Sequence, residues 1–220
     1  MTRALNFGRR GPAQGPASSL VVFLHGYGAD GADLLGLADA LAPHLPGAVF
    51  VAPDAPERSA GNPFGFQWFP IPWLDGSSEA AAAAGLAQSA ADLDAFLDAR
   101  LADEGLEEAA LALVGFSQGT MMALHVAPRR AAACAAVVGF SGRLVAPERL
   151  AAERIARPPV LLVHGDADEV VPPAALPEAA RALSAAGIDT WTHVSRGVGH
   201  GIAPDGLSAA LGFLIDRLPG

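Results

Sequence analysis

The stretch LALVGFSQGTMMALHVA, residues 111–127, joins an apolar run to a helical pattern through the pentapeptide GFSQG at residues 115–119. G-x-S-x-G is typical of a nucleophile elbow, a sharp strand-to-helix turn that exposes a serine hydroxyl. Side chains in place of the flanking glycines would collide with neighbouring backbone, so the turn needs both of them. This setting predicts that Ser117 is a nucleophile at the carboxyl end of a strand. The alternative is a glycine-flanked serine that only caps a helix.

A second serine competes for this role. Ser141 lies in the tripeptide FSG, but it lacks the first glycine of the elbow pattern. Arg143 and Pro147 follow it where the helix of an elbow should begin. We therefore favour Ser117.

Short apolar runs alternate with longer Ala- and Leu-rich helical patterns along the chain. The strand candidates are SLVVFLH, AVFVAP, LALVGF, ACAAVVGFS, PVLLVHG and DTWTHVS. The helix candidates are DLLGLADALA, the long segment 78–104, SQGTMMALHVAP, ALPEAARALSAAG and APDGLSAALGFLIDRL. Apolar strands that alternate with helices predict an α/β fold, with a mostly parallel sheet covered by helices on both faces. We expect one such domain over residues 1–220, without a large lid because fewer than twenty residues separate FSG from PVLLV.

A nucleophilic serine needs a base and an acid, which follow it on this kind of fold in the order Ser, Asp, His. The segment HGDADEVVP, residues 164–172, offers Asp166 and Asp168, and spacing alone does not choose between them. The loop GVGHGI places His200 after the last strand candidate. Because carboxyl ends of parallel strands share one edge of a sheet, we expect these side chains to lie near Ser117.

The remaining histidines have less specific settings. We interpret His25 and His164 as residues that shape loops near the site. His44, His125 and His193 lie in or at the end of a helix or strand candidate. None has a spacing that suggests a metal site.

The segment LHGYGADG, residues 24–31, has two interpretations. As G-x-G-x-x-G between a strand and a helix, with Asp54 after the next strand, it matches the dinucleotide loop of a nicotinamide-dependent oxidoreductase. As H-G-x-G after a strand, it matches the turn with which esterases present backbone donors to an oxyanion. We favour the second, because the first leaves Ser117 and the Asp and His loops unexplained. A non-catalytic binding protein with a hydrolase fold is a third alternative.

Residues 55–78 interrupt the alternation with a long connection that contains four Pro, three Phe and two Trp. Connections of this length within a domain are usually functional or disordered, and so many aromatic residues argue against disorder. We predict that this segment forms a wall of the site, the alternative being simple packing over the sheet edge.

Composition excludes several classes of protein. The net charge is −9 and all 14 basic residues are Arg, without the basic clusters of a nucleic-acid-binding protein. The single Cys134 rules out an internal disulfide and suits a reducing compartment. The first residues lack the apolar core of a signal peptide, and no apolar run reaches the length of a membrane span. We therefore expect a cytoplasmic protein without stable membrane anchoring.

Taken in order, the motifs LHGYG, GFSQG, FSG, HGDADEVVP and GHG resemble the phospholipase/carboxylesterase family of the α/β-hydrolase superfamily, which includes the acyl-protein thioesterases. The resemblance implies a catalytic triad of Ser117, Asp168 and His200. It also implies that the backbone N–H groups of Tyr27 and Gln118 form the oxyanion hole. The function it implies is that of a serine carboxylesterase for small-molecule esters, with thioesters and lysophospholipids as further candidates. No cofactor and no metal are expected, and a homodimer is left open.

The resemblance further implies that the loop around Trp68 and Phe69 lines the acyl side of the site. We expect Val170 and Val171, which follow the acidic loop, to contact the substrate as well.

Two positions depart from the family pattern. Thr120 stands where a third glycine is usual after the elbow, and the family's Trp-aromatic-Asp ends in Pro70. The second departure bears on substrate geometry, because it lies in the segment that is expected to line the site.

Overall fold

The computed structural model describes residues 1–219, in which nine strands alternate with eight α-helices. The strands are β1 (Phe7–Arg10), β2 (Ser19–Leu24), β3 (Ala48–Pro53), β4 (Glu57–Arg58), β5 (Phe66–Gln67), β6 (Leu111–Phe116), β7 (Ala136–Phe140), β8 (Val160–Gly165) and β9 (Thr190–Ser195). The helices are α1 (Gly31–Leu35), α2 (Ala38–Leu41), α3 (Pro72–Asp75), α4 (Glu79–Glu104), α5 (Gln118–Val126), α6 (Pro147–Glu153), α7 (Ala175–Ala185) and α8 (Pro204–Ile215). Short 3₁₀ helices cover Glu108–Ala110 and Ala127–Arg129.

Seven strands form one sheet in the order β1-β3-β2-β6-β7-β8-β9. All neighbouring pairs in it are parallel except β1 and β3, which are antiparallel. This confirms the predicted mostly parallel sheet. It also brings the carboxyl ends of β2, β6, β7, β8 and β9 to one edge, where all the motifs of the sequence follow their strands.

Helices cover both faces of the sheet, as predicted. Successive residues of a strand point to opposite faces, so β2 contributes to two separate cores. Leu20, Val22 and Leu24 pack in the core that includes α4, α5 and α7. Val21 and Phe23 pack on the other face, in the core that includes α1, α2 and α8.

The structure adds elements that the sequence patterns did not predict. The edge strand β1, the hairpin of β4 and β5, and the helices α3 and α6 are too short for a clear periodicity. The predicted helix DLLGLADALA is divided into α1 and α2 by a turn at Gly36, a residue that disfavours helix interiors. Between the FSG turn and β8 the only helix is α6, of seven residues, so no large lid is present in the described chain. None of the helices within residues 1–219 is long and apolar enough to cross a membrane.

Thr120 fixes the position of α5 against the sheet. Its Oγ1 lies 2.8 Å from the carbonyl oxygens of both Gly115 and Phe140, and its single hydroxyl hydrogen can be donated to one of them at a time. Its methyl group fills the space above Gly139, where an added Cβ would lie 2.5 Å from Thr120 Cγ2. The family pattern has a third glycine at this position. Thr120 replaces it and packs against Gly139 of β7 and Gly142 of the loop that follows.

This contact predicts a specific pair of variants. Gly139→Ala should lower the free energy of unfolding by about 1–3 kcal/mol, the usual cost of overpacking a core. Thr120→Ser removes Cγ2 and keeps the hydroxyl, so the double variant should regain much of that loss. Chemical denaturation of the two single variants and the double variant measures the coupling. Additive losses would contradict the proposed contact.

Candidate active site

The turn at Ser117 is strained and closely packed. Ser117 has φ 53° and ψ −113°, a conformation that non-glycine residues rarely adopt. Its N–H donates to the carbonyl oxygen of Phe140 at 2.8 Å. A Cβ on Gly115 would lie 2.5 Å from the backbone of Gly119, and one on Gly119 would collide with the carbonyl oxygen of Leu24. The two glycines of the pentapeptide are thus required by backbone contacts, as the motif predicted.

Two other strand ends bring an imidazole and a carboxylate to this serine. His200 Nε2 lies 3.0 Å from Ser117 Oγ, and His200 Nδ1 lies 2.8 Å from Asp168 Oδ2. Since an ionised carboxylate only accepts hydrogen bonds, Nδ1 carries the hydrogen and Nε2 is left to accept the serine hydroxyl. The arrangement can therefore transfer a proton from the hydroxyl to the imidazole.

The surroundings of Asp168 keep it ionised. Burial by itself raises the pKa of this carboxyl, but the hydrogen bonds from His200 and from backbone N–H groups more than offset it, so the pKa lies below its ordinary value. The backbone donors are Val170 and Val171, each 2.9 Å from Oδ1. His164 Nε2 lies 3.2 Å from Oδ2 and 3.0 Å from the carbonyl oxygen of Val171. The buried charge thus accepts three hydrogen bonds, and the hydrogen on His164 Nε2 is donated to the carbonyl oxygen of Val171.

Asp166 has a different position. Its Oδ1 accepts a hydrogen bond of 2.6 Å from the N–H of Gly197, in the loop that leads to His200. This hydrogen bond joins the loop that follows β8 to the loop that follows β9. Asp166 therefore bonds the backbone of the loop that contains His200, whereas Asp168 bonds the imidazole of His200 itself.

Two backbone N–H groups flank Ser117 without a protein acceptor. Neither Tyr27 nor Gln118 donates its backbone N–H to any atom of residues 1–219. The turn that contains Tyr27 lies against the serine, because a Cβ on Gly26 would be 3.3 Å from Ser117 Cβ. Both N–H groups are therefore unpaired within the described residues.

The histidine of HGYG shapes this turn. His25 is fully buried, and burial lowers its pKa below the ordinary value. Its Nε2 accepts the N–H of Ala55 at 2.9 Å, so the hydrogen of the neutral ring is on Nδ1, which lies 2.7 Å from the carbonyl oxygen of Gly26. His25 therefore connects the carbonyl oxygen of Gly26 to the backbone of Ala55. It does not pair the N–H of Tyr27.

The same region is unsuited to a pyrophosphate. Helix α1 has only five residues, and carboxylates already accept its first free N–H groups. Gly31 donates to Asp54 Oδ1 at 2.9 Å and Asp33 donates to Asp30 Oδ1 at 3.0 Å. A dinucleotide loop needs these donors and the positive end of the helix for phosphate. The structure thus favours the second interpretation of LHGYGADG.

Trp68 does not lie where the sequence suggested. It is fully buried, so the expectation that it contacts the acyl group is wrong. Its Nε1 donates to the carbonyl oxygen of His25 at 3.0 Å and its N–H donates to Gln118 Oε1 at 2.9 Å, while its carbonyl oxygen accepts the hydroxyl of Ser89. The indole N–H, the backbone N–H and the carbonyl oxygen of Trp68 are thus all hydrogen-bonded. They connect the turn after β2, the elbow and α4.

A cleft of about 300 Å³ opens beside α5, and we call it the α5 cleft. Its walls come from the aromatic segment, α4, α5 and the connection after β7, and they include Phe69, Trp73, Leu86 and Met121. Phe69 thus lines a cleft, and its role on the acyl side stays a prediction. Val170 and Val171 do not line this cleft, and their observed contacts are the backbone hydrogen bonds to the acid. The aromatic segment lines this cleft with residues 69–73 and not with Trp68.

The fold and the environment of Ser117 define a serine hydrolase of the α/β-hydrolase class. The sequence profile of the phospholipase/carboxylesterase family matches residues 12–216, and the chain belongs to that family.

Known members of the family resemble this chain over most of its length. Esterase YpfH of Escherichia coli is 28% identical over 204 residues, which cover 93% of this chain and 85% of that protein. The crystal structure of esterase PE8 has a TM-score of 0.93 and 46% identity, with 98% of this chain and 100% of that one covered. The crystal structure of Zea mays acyl-protein thioesterase 2 has a TM-score of 0.76 and 26% identity, with coverages of 97% and 99%.

The motif GFSQG did not predict the hydrogen bonds that the side chain of Gln118 makes. The side chain of Gln118, which was considered only for its backbone N–H, accepts from the N–H of Trp68 and donates Nε2 to the carbonyl oxygen of Phe69 at 2.7 Å. It ties the aromatic segment to the nucleophile turn.

Gln118→Ala should therefore destabilise the protein. It leaves two buried backbone groups without partners, each of which costs about 1–3 kcal/mol, so the thermal midpoint should fall by roughly 4 °C or more in a chain of this size. Differential scanning calorimetry measures the shift. Gln14→Ala, at an exposed glutamine, is the matched control and should leave the midpoint unchanged. Equal midpoints for the two variants would show that the side-chain link contributes no stability.

Proposed function

We propose that this protein is a serine carboxylesterase that hydrolyses esters of small molecules, with thioesters and lysophospholipids as further substrates, through an acyl-enzyme on Ser117. The observation that carries the proposal is the hydrogen-bonded series Ser117–His200–Asp168, with distances of 3.0 Å and 2.8 Å. Two unpaired amides lie beside its first member. The membership in a family of esterases and thioesterases supports the same chemistry.

Acylation begins with proton transfer. His200 Nε2 accepts the hydroxyl proton as Ser117 Oγ attacks the carbonyl carbon, and the imidazolium that forms is stabilised by the ionised Asp168. The depressed pKa of Asp168 keeps this carboxylate charged at neutral pH. Its role is to orient the ring and to balance the positive charge.

The attack turns the carbonyl oxygen into an oxyanion. The N–H groups of Tyr27 and Gln118 are the donors that would bind it, and one such donor is worth about 3 kcal/mol of barrier in other acyl-transfer enzymes. Neither amide has to leave a protein acceptor before it can bind the oxyanion. This pre-organisation favours the transition state over the ground state.

The tetrahedral intermediate then loses its alcohol or thiol, which takes the proton from His200. Water repeats the sequence in the second half of the reaction, with His200 as the base and Ser117 as the leaving group. Ser117 is 9% exposed. Met121, one helical turn further along α5, lines the α5 cleft, where the acyl group would bind.

The assignment of the nucleophile predicts the outcome of labelling. A fluorophosphonate probe should modify one serine per chain, and Ser117→Ala should abolish both the labelling and the hydrolysis of p-nitrophenyl acetate. Ser141→Ala is the matched control, because this serine follows the neighbouring strand and its hydroxyl contacts the carbonyl oxygen of Gly201. Mass spectrometry and an esterase assay measure both effects. Persistence of labelling in Ser117→Ala would move the nucleophile elsewhere, and no labelling of the wild type would favour the non-catalytic alternative.

The two carboxylates of HGDADEVVP should respond differently to the same change. Asp168→Asn presents an amide to His200 and favours the wrong tautomer, and the analogous change in another serine hydrolase lowers kcat by about 10⁴. Asp166→Asn keeps a carbonyl oxygen for the N–H of Gly197, so kcat should remain within a few-fold of wild type.

Steady-state kinetics and thermal melting of both variants, measured side by side, test this assignment. A large loss of kcat in Asp166→Asn, with Asp168→Asn near wild type, would transfer the role of the acid to Asp166.

A further inference from the structure

The α5 cleft has apolar walls but a cation at its rim. Arg143 lines the cleft, is exposed, and has no carboxylate within ion-pair distance among residues 1–219. Its guanidinium carbon lies 5.7 Å from the ring centroid of Trp73, which is also a rim residue. A cation–π contact at this distance leaves the N–H donors of the guanidinium free for another partner.

Arg143 is close to the proposed nucleophile. The preceding residue, Gly142, touches the elbow, since an added Cβ would lie 2.8 Å from the carbonyl oxygen of Ser117. Met121, one helical turn after Ser117, lines the same cleft. The backbone of Arg143 thus directly follows a residue that contacts the elbow, and its side chain lines a cleft that α5 shares.

The other titratable groups of the cleft do not replace this cation. Arg149 is paired with Glu153 at 2.5 Å. Burial lowers the pKa of His125 to about 4, so its ring is neutral at pH 7. Glu79, at the start of α4, is the one carboxylate that lines the cleft, and no described cation forms an ion pair with it. Arg143 is therefore the unpaired positive charge of a cleft in a chain whose net charge is −9.

We propose that Arg143 selects ester substrates that carry an oxyanion, either a carboxylate or a phosphate, on the part that occupies the α5 cleft. This inference rests on the proposed function, because it specifies the substrate class of the same site. A guanidinium binds both kinds of oxyanion through charge-assisted hydrogen bonds. Without it, the acidic protein would repel such substrates. The apolar walls would hold the chain that connects the oxyanion to the ester.

Two matched substrate pairs test the proposal and distinguish the sources of the oxyanion. The first pair is p-nitrophenyl hydrogen adipate and its neutral analogue p-nitrophenyl methyl adipate. The second pair is p-nitrophenyl 6-(phosphonooxy)hexanoate and neutral p-nitrophenyl 6-hydroxyhexanoate, which carry the anionic group on the acyl part as the first pair does. In each pair the members differ in the anionic group and share the scissile ester, so the ratio of their kcat/KM values reports the contribution of the charge.

The variants are Arg143→Gln, Arg143→Lys and the control Arg181→Gln, which removes an exposed Arg on α7 that does not line the cleft. Arg143→Gln should lower kcat/KM for the anionic member of at least one pair by about tenfold, the lower end of the range for hydrogen bonds to charged groups. The neutral members should change less than twofold. Arg143→Lys should retain part of the preference, and Arg181→Gln should retain all of it.

The results separate failure of this inference from failure of the proposed function. If Arg143→Gln lowers kcat/KM equally for the anionic and the neutral substrates, or for neither, Arg143 does not select the oxyanion. If Arg181→Gln has the same effect as Arg143→Gln, the preference for anionic substrates arises from the net charge of the protein and not from Arg143. If the neutral esters are hydrolysed as fast by Ser117→Ala as by the wild type, the proposed nucleophile is wrong whatever the charge preference.

Discussion

The site depends on a backbone contact between the start of α5 and the end of β2. Gly119 lies directly against the carbonyl oxygen of Leu24, at a distance that no other residue could adopt. This contact holds the first turn of α5 beside the turn that follows β2, so Ser117 lies against Gly26, the residue before Tyr27. The strained conformation of Ser117 is the other half of the constraint. Hydrogen bonds to β7 and the packing of α5 compensate for this strain.

A buried polar network then joins the aromatic segment to the same turn. Trp68 contacts both His25 and Gln118 through hydrogen bonds, and Ser89 of α4 satisfies its carbonyl oxygen. In a low-dielectric interior each unpaired member would be costly, so the network specifies one arrangement of these segments. This explains why a residue expected to contact substrate is an anchor, and why the cleft wall begins only at Phe69.

The two departures from the family pattern have different consequences. Thr120 is accommodated within the core, because the glycines of β7 and of the FSG turn leave room for its side chain. Pro70 lies at the surface of the α5 cleft, and its ring packs against α4, where a Cβ on Gly85 would be 2.7 Å from Pro70 Cδ. The first departure alters packing and leaves the elbow intact. The second places an uncharged ring in the wall of the α5 cleft, at whose rim Arg143 lies.

The sequence by itself determined the alternation of strands and helices, the elbow at Ser117 and the order of the loops, because these depend on periodicity and on contacts within a few residues. Spacing left Asp166 and Asp168 equivalent, the resemblance to the family favoured Asp168, and the environment expected for Trp68 was wrong. Only the tertiary structure decided which carboxylate contacts His200 and where the side chain of Gln118 bonds. Those contacts join segments far apart in the chain, and their geometry follows from how the sheet and helices pack, which no local pattern records.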